Sequence, residues 1–210
     1  MRFYSFFLLL LLTSCDQYYD SQYPHHIYAD SVVNKFIVEQ QRADKNVEAY
    51  MTGGGMREYV ERMEVGFMYM DIISLEELRV LFVKYNEWFR YRVNTQLKEY
   101  LQFYPAPIHE FSVDVVIKNP KGKIVPPGLP CLVVLIGGGV VRYDTRSPDP
   151  KAIAYCTLHT EPYEEALEIV RREHPEVLPP EYLLPEEEAR AISSAKEDAK
   201  PQGLLWIPTK

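Results

Sequence analysis

Ser74-Leu75-Glu76-Glu77 constrains this chain more than any other stretch. A serine oxygen that accepts from the Glu77 amide, with Glu77 reaching back, is a capping box, and it fixes a helix start. Leu78, Leu81, Phe82, Tyr85, Trp88 and Phe89 then recur at spacings of three and four, and the pattern continues through Val93, Leu97 and Leu101. The spacing predicts a long amphipathic helix that stops before Pro105, with Asn94-Thr95 as a candidate break. Such a helix must bury its stripe against another layer.

Strand signals surround it. Tyr59 to Ile72 is apolar on both faces and predicts a central strand. Phe111 to Lys118 alternates and is β-branched, and Leu129 to Ile136 is a short continuous apolar run. Gly137-Gly138-Gly139 turns that run back into Val140 to Asp144, and Ala152 to His159 supplies another strand. A first helix is expected from about Ser31 to Thr52, capped by Asp30 or Ser31 and stopped at Gly53-Gly54-Gly55. The glycines are not a phosphate cradle, because no Lys-Ser/Thr follows and no strand precedes. A last helix is expected after Thr160 as cap, with acids early and Arg171, Arg172 and His174 late. Short connections between strands imply an α+β fold. The sheet is expected to be mainly antiparallel, of about four or five strands, packed with the long helix and one or two others.

The N-terminus carries the most specific functional signal. Met1-Arg2 precedes an apolar run from Phe3 to Leu12, and a helix of that length rises only about 15 Å, too short to span a bilayer. Its end, Leu12-Thr13-Ser14-Cys15, resembles the lipobox of bacterial lipoproteins: an aliphatic residue, two small ones, then cysteine. The n-region departs from that family's pattern in having one basic residue. The resemblance implies lipid on the Cys15 sulfur, cleavage before Cys15, and residence on the exported side of a bacterial membrane, inner or outer. It implies nothing about the fold of the rest. On this reading residues 1–14 are leader, 15–30 a lipidated tether, 31–174 an α+β domain, and 175–210 a proline-rich acidic tail ending in the apolar cluster Gly203 to Ile207.

The net charge of −7 disfavours nucleic acid and anionic lipid surfaces, so membrane contact rests on the anchor. No cofactor or metal site is expected. His25-His26 sits in the tether without further ligands at metal spacing. Cys131 and Cys156 remain once Cys15 is lipidated, and exported cysteines in even number often pair. A disulfide and two separate buried thiols both fit, since strand register is not legible. They form no Cys-x-x-Cys. The weak catalytic candidates are His159 and Glu161, a base and an orienting acid at a strand end; His109-Glu110 is a similar pair. Neither the zinc helix motif nor the serine-hydrolase elbow occurs. Asn86, Arg90 and Asn94 form a polar row on the long helix, expected as its solvated flank. Together these features favour a non-enzymatic binding or structural role, with an envelope protein as candidate partner. The rivals are an anchored hydrolase and a small-ligand module with a tyrosine-lined groove.

Overall fold

The computed structural model describes residues 24–121, 125–149, 151–152 and 154–180. The leader, Cys15, the first part of the tether and the apolar cluster at 203–207 lie outside the described residues.

Helix α1 spans Pro24–Ala43, so it begins inside the expected tether and ends well before Thr52. Proline at the first helical position forfeits an N–H that has no partner there in any case. Ala29, Val32, Val33 and Phe36 form its buried stripe. The polar middle of the expected helix is instead a junction, where the Asp44 carboxylate accepts the Asn46 amide at 2.9 Å. The chain then enters strand β1, Val47–Met56, which contains the three glycines assigned above to a helix stop. β1 pairs antiparallel with β2, Val60–Tyr69, and a bulge falls at Tyr50.

Helix α2, Leu75–Gln96, starts on the expected capping box: Glu77 N–H donates to Ser74 Oγ at 3.2 Å, and Ser74 N–H to the Glu77 carboxylate at 2.8 Å. It closes at Leu97, whose N–H donates to the Val93 carbonyl, and a 3-10 turn over Lys98–Tyr100 follows. The apolar pattern outlasts the helix because Leu97 and Leu101 stay buried beyond its end.

The long helix also decides the topology. It is the crossover between β2 and β3, Phe111–Ile117, which therefore run parallel. Strands β4, Pro130–Ile136, β5, Val140–Arg146, and β6, Tyr155–Pro162, add antiparallel in sequence order. The protein is α+β, with a mixed six-stranded sheet where four or five antiparallel strands were expected. Thr160 does not cap the last helix: it pairs with Arg142 in the ladder, and α3 begins later, over Tyr163–Glu173, behind Pro162.

The three α-helices among the described residues form one layer. α1 packs on β1 and β2, α2 on β3 and β4, and α3 on β5 and β6, with α2 touching both neighbours. Phe36, Phe67, Phe89 and Tyr85 meet in this core at ring separations of 5.1–5.8 Å. After α3 the chain remains attached as far as Leu178, which is buried, and Trp88 Nε1 donates to the Val177 carbonyl at 2.8 Å.

The polar row on α2 bonds to the rest of the protein rather than forming a solvated flank, with Asn86 buried and Arg90 and Asn94 half-buried. Asn86 is fully buried: its amide donates to Phe82 and Val113 carbonyls and accepts from Val113 N–H at 2.8 Å. β3 and β4 pair only at Val115–Val133 and Val116–Leu132. Beyond that point β4 diverges, and the Asn86 amide stands in for the missing strand at Val113. Arg90 and Asn94 tie the same helix to Ala106, by Arg90 Nε to its carbonyl and by its N–H to Asn94 Oδ1.

Candidate functional site

The pair nominated from sequence, His159 and Glu161, does come together. Both project to the helix side of β6, opposite Tyr143 and Val141 of β5, with His159 Nε2 3.6 Å from Glu161 Oε2. Two unforeseen partners join them. Arg79 of α2 donates to Glu161 Oε1 at 2.8 Å, and the Tyr143 hydroxyl donates to the same oxygen at 2.6 Å. Glu161 is 5% exposed. Burial pushes its carboxyl up, but the Arg79 and Tyr143 hydrogen bonds outweigh that and hold it below the usual range. A carboxylate so engaged is a poor proton acceptor. The cluster is a strap that joins edge strand β6 to β5 and α2. A second buried acid, Glu87, straps α3 to α2 in the same way, accepting from the Tyr163 hydroxyl at 2.6 Å and Arg90 at 2.7 Å.

The other sequence candidates are dispersed. Cys131 is a buried thiol on β4 and Cys156 an exposed thiol on β6; both are free. β5 runs between those strands, with Thr145 opposite both Cys156 and Pro130. Two strand spacings of about 4.8 Å place the α-carbons beyond disulfide reach, so the fold does not bring these residues together. His25 packs on Tyr100 and hydrogen bonds the Arg57 carbonyl at 2.9 Å, with His26 edge-on beside it. His109 is exposed, 3.9 Å from Glu110.

The face opposite the helices holds what the sequence did not reveal. The register runs Glu48, Met68, Val116, Leu132 and Asp144 as consecutive partners across β1 to β5. No described helix covers this face. The sheet is curled so that residues of all six strands line one cavity of about 310 Å³, from Glu48 of β1 to Arg146 of β5 and Tyr155 of β6. Its walls are Met68, Met70, Val116, Ile117 and Val125, with Cys131 among them. Its polar groups are Glu48, Lys118, Asn119 and Arg146. The Arg146 guanidinium lies over the Tyr155 ring at 5.0 Å. Burial pushes the Cys131 thiol up, opposed by Arg146, so the sulfur is held as a neutral thiol.

One residue pair further along the same face lies a carboxyl pair. Gly66 and Asp114 are register partners, and Glu64 lies beside Asp114. The Tyr50 ring crosses Gly66, where a β-carbon would stand 2.7 Å from it. Burial pushes the Asp114 carboxyl up to about 7, and the neighbouring Glu64, by charge and by hydrogen bond, adds to this. The Leu135 N–H, freed where β4 diverges from β3, bonds Asp114 and opposes the rise.

A mid-strand aspartate was the available sign of this face. Ser112, Asp114, Val116 and Lys118 alternate with Phe111, Val113, Val115 and Ile117. The second set reads as core, and the first therefore had to line something else.

No protein family, characterised protein or solved structure matches the chain. The site therefore stands on its geometry.

Proposed function

We propose that this protein is a lipid-anchored envelope protein that binds a small ligand in the concave face of its sheet. One observation carries the binding part: all six strands contribute to a single cavity of about 310 Å³. That size lies at the lower end of ordinary ligand pockets, and an apolar wall with a few polar groups is their usual composition. The anchor rests on the resemblance of Leu12 to Cys15 to a lipobox, and the −7 charge makes a covalent anchor the better route to a membrane. The His159–Glu161 pair favours no hydrolase, because Arg79 and Tyr143 occupy the carboxylate.

The test uses a neutral apolar fluorophore, N-phenyl-1-naphthylamine, and a filled cavity, Val116→Trp. Fluorescence should rise with the wild type and not with the variant, at an unchanged thermal midpoint. An equal rise with both would place the binding elsewhere and end this reading.

A second reading has one observation in its favour. Asp114 and Glu64 share a hydrogen bond on the same face, and a carboxyl near 7 is poised for proton transfer at neutral pH. A reaction at this pair would be lost in Asp114→Asn while ligand affinity stayed the same.

A further inference from the structure

The polar groups of the cavity are not evenly signed. Lys118 and Arg146 face it against a single carboxylate, Glu48, in a chain whose net charge is −7. Among the described residues neither cation has a carboxylate within ion-pair distance, as is true of several other cations of the chain such as Arg62 and Lys84. Arg146 is held instead by the face of Tyr155, a contact that leaves its N–H donors available to another acceptor. The rest of the wall, Met68, Met70, Val116, Ile117 and Val125, offers a hydrocarbon lining, in which the flexible thioethers adapt to an irregular chain. The volume equals that of about ten liquid waters, enough for a chain of medium length but not for a two-chain lipid.

We propose that the cavity takes a small single-chain amphipathic anion, its acidic head group at Lys118 and Arg146 and its hydrocarbon against Met68, Met70 and Val116. Glu48, the one carboxylate on the wall, confines the head group to the side of the two cations. The inference rests on the binding reading above and names its ligand class.

Cys131 supplies a reporter, since it is one of the residues that line the cavity. The full chain with Cys15→Ser and Cys156→Ser keeps Cys131 as its one thiol. Its rate of alkylation is then measured with decanoate, decyl phosphate or decanol, each below its micelle concentration. Decanoate or decyl phosphate should slow the reaction about tenfold more than decanol does. The ranking of the two anions tells a carboxylate source from a phosphate one. Lys118→Ala with Arg146→Ala should abolish the advantage of the anions and leave the decanol effect. Glu48→Gln should increase it. These three side chains are at least partly exposed, and a thermal midpoint equal to that of the parent confirms that each variant folds. If decanol protects as well as the anions, the head-group assignment is wrong while the cavity remains a ligand site. If none of the three protects Cys131, the binding reading fails with it.

Discussion

The Tyr50 ring lies across Gly66, so close that a β-carbon at residue 66 would stand 2.7 Å from two of its ring carbons. The bulge at Tyr50 in β1 and the missing side chain on β2 are therefore one feature. It lies beside the Asp114–Glu64 pair, since Asp114 is the register partner of Gly66 and both carboxylates act on Tyr50. Gly66→Ala must push the ring aside. Tyr50 is 43% exposed and can yield, so the cost should be about 1 kcal/mol, the lower end for overpacking. In a Tyr50→Ala background the same substitution should cost much less, and denaturant melts of the four-member cycle measure the difference. An unchanged cost would mean that the ring contact is not its cause.

The Glu161 strap should show unequal partners. Glu161→Ala leaves Arg79 and the Tyr143 hydroxyl without their acceptor in a buried place and should cost about 3 kcal/mol. His159 is 39% exposed at 3.6 Å, so His159→Ala should cost less than about 1 kcal/mol. Chemical denaturation of both variants checks this. A His159→Ala protein of full stability that has lost its cellular function would return the pair to catalysis.

Two acids should give stability opposite slopes with pH. The Glu161 carboxyl is held low, so its contribution is present above its ordinary value of 4.5 and lost as pH falls through the lower folded value. The Asp114 carboxyl is raised from 3.8 to about 7, so the folded state holds more protons than the unfolded one in between. Stability from this group therefore falls as pH rises from about 4 to about 7. Glu64 stands beside Asp114, and the Tyr50 hydroxyl of β1 is close enough to feel both carboxylates. Urea midpoints of Asp114→Asn should lose the decline toward pH 8 and keep the acid limb. A decline of undiminished slope in the variant would refute the assignment.

Processing at Cys15 is the prediction that decides location. Wild type expressed in a bacterial host should lose residues 1–14, gain lipid mass and fractionate with membranes, and Cys15→Ser should do none of these. Intact mass and fractionation check it. A wild-type chain that keeps its leader or carries no lipid would remove the anchor from the proposed function.

The local elements were written in the sequence. The capping box at Ser74, the stripe from Leu78 to Val93 and the glycine turn at 137–139 rest on contacts a few residues apart, and each is where the spacing put it. The exchange of helix for strand at Val47 was not legible, because a glycine triplet suits either a helix stop or an open edge strand. The parallel β2–β3 pair was not legible either, since it follows from where a long crossover lays its two strands. The functional face needed register and curvature together. Asp114 meets Glu64, and Lys118 and Arg146 line one cavity, only when strands far apart in the chain are set side by side and the sheet curls. A period of two says which residues share a face of one strand; pairing between strands, settled by the whole core at once, says what that face encloses.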